Sequence, residues 1–210
     1  MIDKILSNLD WLGHDCFRLR AAGQVVYFDP FQLSGDLPPA DLILVSHAHY
    51  DHFSPDDIKK IRQESTLIIT EPESAAKLSG NVKAMQPGQS ITWGPFTIEA
   101  VRAYNTNKKF HPQANNWLGF IVTVEGVRLY HAGDTDHIPE MADYKADIAL
   151  LPVSGTYVMT ADEAAQAALD INPKVAVPMH FGSIVGEQSD AERFAAKLVN
   201  KIKVHIPQKK

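Results

Sequence analysis

Short apolar runs separated by turn residues recur along the chain, and this pattern predicts a protein rich in β-strands. Two neighbouring runs flank Glu125-Gly126, a tight turn that predicts a β-hairpin. Later runs are continuously apolar, as expected for strands buried on both faces. The predicted strands are 24–28, 41–46, 67–70, 96–101, 118–125, 127–130, 148–151 and 175–177, with 203–206 as a final candidate.

Capping residues predict three helices between the strands. Ser54 precedes Pro55 and two acidic residues, the order typical of a helix start, and predicts a helix over 57–62. Two capping boxes open alanine-rich segments that we expect to run to about residues 170 and 200. They are Thr160 with Glu163, and Ser189 with Glu192.

The composition is that of an ordinary globular protein, and we expect one domain spanning residues 1–210. The net charge of −5 does not indicate a nucleic-acid or membrane partner, so a small-molecule substrate is expected. Cys16 is the only cysteine, which excludes an intramolecular disulfide and favours a reducing, cytoplasmic setting. The N-terminus has no signal-peptide pattern. The sequence leaves the oligomeric state open.

The segment after the strand predicted at 41–46 carries the clearest chemistry. Three histidines and an aspartate follow the strand within six positions, and a helix begins directly afterwards. Imidazole and carboxylate groups are good ligands for divalent zinc, with manganese and iron as alternatives. These residues, His47, His49, Asp51 and His52, predict a site for one or two divalent metal ions.

This His-x-His-x-Asp-His pattern resembles the signature of the metallo-β-lactamase superfamily. Further agreement lies at residues 12–14, 28–30, 130–135 and 178–181. Their order and spacing are similar to the branch of ascorbate-phosphate lactonase-like hydrolases and of the phospholipase D that acts on N-acyl phosphatidylethanolamine. The resemblance implies an α/β (α+β) fold, a four-layer αββα sandwich with metals at one edge, between the sheets.

The resemblance also implies how the ligands divide. His47 and His49 would bind a first metal, Asp51, His52 and His180 a second, and Asp134 would bridge the two. Relatives place one more histidine for the first metal at a position where this chain has Asn105. His111, in the polar loop 104–116, is the candidate substitute; without it, a single tightly held ion is the alternative.

Three other features bear on the site. His14 is a candidate to line it or to hold a ligand from behind, and Asp29 a candidate to accept a hydrogen bond from a ligating imidazole. The turn at 154–157 and the loop 104–116 are expected to shape the substrate pocket. Lys108 and Lys109 are candidates to meet an anionic substrate group.

These residues predict a hydrolase. A metal lowers the pKa of its bound water from about 15.7 to roughly 7, so that hydroxide attacks a small ester, lactone, amide or phosphodiester while Asp51 or Asp134 moves the proton. The alternatives are a non-catalytic metal- or partner-binding module of the same fold and a di-iron oxidoreductase. The second fits less well because related di-iron proteins have glutamate where this chain has His49.

Overall fold

The computed structural model describes residues 1–210 and contains two β-sheets. The first sheet has six strands in chain order. Its first three strands are antiparallel and the next three run parallel. They are β1 (Leu9–Gly13), β2 (Cys16–Ala21), β3 (Gln24–Phe28), β4 (Ala40–Leu44), β5 (Arg62–Thr70) and β6 (Val82–Ala84).

The second sheet has seven strands, and consecutive strands are again neighbours in the sheet. Its first four strands form antiparallel pairs and the rest run parallel. They are β7 (Ser90–Trp93), β8 (Phe96–Arg102), β9 (Leu118–Val124), β10 (Val127–His131), β11 (Ile148–Pro152), β12 (Val175–Met179) and β13 (Lys203–Val204). The pairing of β9 with β10 confirms the hairpin predicted at Glu125-Gly126.

Alternation along the strands divides the core in two. In β3, Val26 and Phe28 join a cluster of 48 buried residues that draws on both sheets, whereas Tyr27 joins a separate cluster of 11. Successive side chains of a strand point to opposite faces, so the larger cluster lies between the sheets and the smaller one on the outer face of the first sheet.

Helices cover the sheets. The helices are α1 (Ile2–Ser7), α2 (Pro55–Ile61), α3 (Pro72–Ala75), α4 (Ala161–Ile171) and α5 (Gln188–Lys197), with 3₁₀ turns at Gln113–Asn115 and Pro139–Asp143. α2 packs on the outer face of the first sheet through Ile58 and Ile61. α4 and α5 pack against each other and on β11 and β12 of the second sheet. This arrangement confirms the predicted αββα sandwich.

Several local predictions need correction. The capping box of α5 is formed by Glu187 and Asp190, not by Ser189 and Glu192, because the chain enters this helix from an extended Glu187. Arg62 begins β5 and does not end a helix. The pattern also missed α1, β1, β2, α3, β6 and β7. Gly13 and Asp15 interrupt the apolar run at β1 and β2. None of the helices is both long and apolar enough to cross a bilayer.

Candidate metal centre

The predicted ligands gather at one edge of the sandwich, because most of them follow the carboxyl end of a strand and the loop 104–116 brings His111 to the same edge. The loop 47–52 connects β4 to α2, and Ser54 caps that helix by accepting a hydrogen bond from the Asp57 N–H. Asp134 follows β10, and His180 follows β12. His14 follows β1, so the two sheets each bring side chains to this edge.

Two groups of four side chains form there. In each group, one nitrogen or oxygen atom per residue lies within 4.8 Å of the others. We call the first group cluster one: His47, His49, His111 and Asp134. The second, cluster two, is His14, Asp51, His52 and His180.

Short contacts define both clusters. In cluster one, His47 Nε2 lies 3.1 Å from His49 Nδ1. In cluster two, His14 Nε2 lies 3.1 Å from Asp51 Oδ2. Each distance is small enough for the two atoms to share one cation as ligands.

Asp134 lies between the two clusters. Its Oδ2 is 3.1 Å from His111 Nε2 of cluster one. Its Oδ1 is 3.3 Å from the Nε2 atoms of both His52 and His180 in cluster two. The two oxygens of one carboxylate therefore face different clusters, as a bridging ligand requires.

Hydrogen bonds at Nδ1 orient His47 and His52. Asp29 Oδ2 lies 2.8 Å from His52 Nδ1 and accepts the Ser46 hydroxyl proton at 2.6 Å. Because that proton goes to Asp29, the Ser46 oxygen accepts from His47 Nδ1, 2.9 Å away. Both rings therefore turn Nδ1 towards these oxygens and Nε2 towards the centre.

His180 and His111 are held in the same way. Ser154 donates its hydroxyl proton to the Thr156 carbonyl, so its oxygen accepts from His180 Nδ1 at 2.8 Å. The side-chain oxygen of Asn105 accepts from the backbone N–H of His111 at 3.0 Å and lies 3.2 Å from His111 Nδ1. Such outer partners fix the tautomer and direction of ligating histidines.

Burial and charge set the protonation of this centre. Burial lowers the pKa of His47 well below its ordinary value, and the neighbouring His52 adds to the effect. Burial opposes the charge on His52, but Asp134 and Asp29 outweigh it and raise the pKa of His52 well above its ordinary value. Burial would raise the pKa of Asp134, yet His52 and His180 hold it well below the usual range. Asp134 is therefore ionised, and a cation beside it is favoured.

The donor set fits a divalent metal. Four buried atoms facing the clusters lack a hydrogen-bond partner: His52 Nε2, His111 Nε2, His180 Nε2 and Asp134 Oδ1. Each of the three nitrogens lies 3.1–3.3 Å from an Asp134 oxygen but not in hydrogen-bond geometry, so Asp134 alone does not satisfy them. Cations between these atoms would satisfy all of them at once.

Asp15 lies at the centre although the sequence did not predict it there. Its carboxylate is fully buried, neither oxygen has a hydrogen-bond partner, and Oδ2 lies 4.0 Å from His52 Nδ1. Burial raises the pKa of Asp15 to about 8. No motif pointed to it, because its position behind His52 depends on the pairing of β1 with β2.

A cavity of about 280 Å³ opens beside the centre. Its polar side is formed by His49, Asp51, His111 and Asp134, and the other five lining residues are Tyr50, Phe110, Tyr157, Ile184 and Val185. The loop 104–116 and the turn 154–157 therefore do shape a pocket. A larger cavity, about 410 Å³, lies along β8 but has no histidine in its lining.

The two lysines do not meet this cavity. Lys108 Nζ lies 2.6 Å from Asp136 Oδ1 and is bound to that carboxylate. Lys109 is exposed and is absent from the lining. The expectation that Lys108 or Lys109 meets an anionic group in this pocket finds no support in their placement.

Comparison with known proteins adds an independent line of evidence. A family model described as the beta-lactamase superfamily domain matches residues 8–180. A UPF0173 metal-dependent hydrolase from Methanoculleus marisnigri is 32% identical over 206 residues, covering 89% of this chain and 86% of that protein. Another from Thermococcus kodakarensis is 33% identical over 221 residues, covering 97% of each.

A solved structure agrees with these relatives. The crystal structure of a Parabacteroides distasonis protein, described as a metal-dependent hydrolase, superposes with a TM-score of 0.86 at 35% identity. The superposition covers 95% of this chain and 91% of that one. The finer resemblance to lactonase-like proteins and to the phospholipase D stays a prediction.

Proposed function

Because the chain belongs to the β-lactamase superfamily, as one of its metal-dependent hydrolases, we propose that clusters one and two each hold a divalent cation bridged by Asp134. The substrate is a small ester, lactone, amide or phosphodiester. The observation that carries this proposal is the shared orientation of four histidines, His47, His52, His111 and His180, each held at Nδ1 with Nε2 directed inward.

The donors favour zinc. Cluster one offers three imidazoles and a carboxylate, and neither cluster offers a thiolate. Such nitrogen and oxygen sets suit zinc, with iron or manganese as the alternatives.

When bound, such metals lower the pKa of a water ligand to about 7 and polarise the oxygen of the bond under attack. The chain supplies the rest. Asp51 is the more accessible of the two carboxylates, with 15% of its side chain exposed against 4% for Asp134. Burial opposes its ionisation, but the hydrogen bond from His14 outweighs this and lowers the pKa of Asp51. We assign proton transfer to Asp51 and the bridging role to Asp134.

Substrate size and setting follow from the same features. The cavity beside the centre is of small-molecule size, so we propose a small-molecule substrate and no nucleic-acid partner. Cys16 is free and buried, which agrees with a reducing cytoplasmic setting and remains a proposal.

The test is chelator-sensitive hydrolysis. Purified protein loaded with zinc, manganese or iron should hydrolyse generic chromogenic esters or phosphodiesters, lose activity on chelation and regain it on metal addition.

Asp134→Asn should lose bound metal and lower kcat/KM at least 100-fold, because both clusters share this carboxylate. Asp170→Asn, a control at the exposed ion pair with His137, should change neither. Metal binding with no turnover on any substrate would favour the non-catalytic module, and a redox-active iron pair would favour the oxidoreductase.

A further inference from the structure

The cavity beside the metal centre is lined by five apolar or aromatic side chains as well as by four residues of the centre. We call these five residues the apolar wall: Tyr50, Phe110, Tyr157, Ile184 and Val185. Resting on the proposed function, we propose that this wall binds an uncharged apolar group attached to the scissile carbonyl. The substrate class is then a neutral carboxylic ester or lactone with a small apolar acyl part.

Exposure singles out this wall from the rest of the surface. Five large hydrophobic side chains are exposed in the whole chain, and three of them, Tyr50, Phe110 and Tyr157, line this one cavity. The other two, Met1 and Val199, are not part of its lining. When a ligand covers apolar surface that is exposed around a concave site, the free energy of the complex falls.

The wall is built before any ligand arrives. Tyr157 adopts a left-handed backbone with φ of 70°, which is strained for an aromatic residue, and its carbonyl accepts a 2.8 Å hydrogen bond from Asn105 Nδ2. Phe110 packs edge-on against the Tyr157 ring, with centroids 4.6 Å apart. A preformed wall loses little conformational entropy on binding.

The remaining wall residues are also held by local contacts. The N–H of Gly182 donates to the Gly186 carbonyl at 3.0 Å, and the loop so closed carries Ile184 and Val185. Tyr50 packs edge-on against Phe31, with centroids 5.9 Å apart.

Charge argues against an ionic acyl group. The titratable acids and imidazoles that line the cavity are the four residues of the metal centre, and no lysine or arginine lines it. A charged group held against the apolar wall would lose its water and meet no lysine or arginine there. The wall therefore selects by burying apolar surface.

The reaction is ordinary ester hydrolysis. The oxygen of water adds to the carbonyl carbon, the bond from that carbon to the ester oxygen breaks, and a proton from water ends on the departing alcohol. The products are the acid and the alcohol, and no other reactant is needed.

A series of methyl esters tests the acyl group directly. Rates for methyl acetate, propanoate, butanoate and pentanoate are measured by pH-stat on the zinc-loaded protein and divided by the hydroxide rate of each ester. We expect kcat/KM to rise about fourfold for each added methylene, the factor for burying one such group. Methyl 3-methoxypropanoate, which replaces one methylene of the pentanoate by oxygen, should fall well below the pentanoate.

Matched variants locate the effect. The double variant Phe110→Ser, Tyr157→Ser should flatten the chain-length dependence, measured as the ratio of kcat/KM for the pentanoate to that for the acetate. Val199→Ser, at an exposed hydrophobic position outside the cavity, should leave the series unchanged. Metal content is measured for each variant, so that a flattened series with full metal reports on the wall alone.

Failure of the inference differs from failure of the proposed function. Chelator-sensitive turnover with no dependence on chain length would overturn the apolar wall and leave the hydrolase standing. If no ester is turned over, ligand-observed NMR with 2-hexanone and its polar isostere 4-methoxybutan-2-one decides the point without catalysis. Preferential binding of 2-hexanone that is lost in the double variant supports the wall, and equal binding of the two ketones overturns it.

Discussion

At the residue scale, Asn105 links the metal centre to the pocket wall. Its oxygen accepts from His111, and its amide nitrogen donates to the Tyr157 carbonyl and to Asp136. The sequence placed Asn105 where relatives have a histidine and offered His111 as the candidate substitute. The side chain of Asn105 contacts His111, which the loop 104–116 carries into cluster one.

Replacing Asn105 by alanine removes the acceptor that fixes the His111 ring. We expect the affinity of one metal to fall about 10–100-fold and the other to change little, since loss of an outer partner has this effect on a ligating histidine. A competition titration against a chromogenic chelator measures both affinities. Asn107→Ala, at an exposed asparagine of the same loop, is the control; equal affinities in the wild type and the Asn105 variant would contradict the assignment.

Three residues at or beside the two clusters have a left-handed backbone conformation. His14, Asp29 and His180 all adopt positive φ, at 52°, 40° and 62°. This conformation is uncommon outside glycine and costs roughly 1–2 kcal/mol per residue. Eight further non-glycine residues of the chain also adopt it, so the strain accompanies the site without marking it. Sequence patterns carry no signal for such backbone conformations.

At the scale of elements, the site residues that the sequence predicts best are those that directly follow an apolar strand. The runs before His47, Asp134 and His180 are strongly apolar, so the sequence predicted both these strands and the chemistry at their ends. Residues carried by loops were harder to place. The roles of Asp15 and Asn105 depend on contacts that only the folded chain brings together, and sequence patterns do not show such contacts.

The turn before Asp134 requires glycine. Gly133 has φ of 60°, and a Cβ there would lie 2.9 Å from the Leu118 carbonyl oxygen and 3.0 Å from Ser46 Cβ. Gly133→Ala should lower the free energy of unfolding by about 2–5 kcal/mol, the sum of left-handed strain and overpacking. It should also weaken metal binding, because a displaced Ser46 no longer holds His47.

Gly126 provides the control for this prediction. It has φ of 74°, but no atom lies within 4 Å of the place that an alanine Cβ would occupy. Gly126→Ala should therefore show only the strain of about 1–2 kcal/mol and normal metal content. Urea unfolding of both variants checks the difference, and equal losses would show that the close contact with Ser46 is unimportant.

At the scale of the whole molecule, the buried thiol reports on folding. Cys16 is fully buried, and burial raises its pKa to about 12. The thiol is therefore protonated at pH 8, and iodoacetamide should label it only after unfolding. Mass spectrometry along a urea gradient follows the labelling, and rapid labelling of the native protein would show that the core around Cys16 opens readily.

The fold brings the strand ends of both sheets together around the carboxylate of Asp134. Two sheets, each with its own helices, place cluster one and cluster two on opposite sides of Asp134. The most direct test is anomalous diffraction at the zinc edge from crystals of the zinc-loaded protein. We expect two anomalous peaks, one within each cluster, with Asp134 between them. Peaks elsewhere, or none within reach of Asp134, would contradict a metal centre built around this carboxylate.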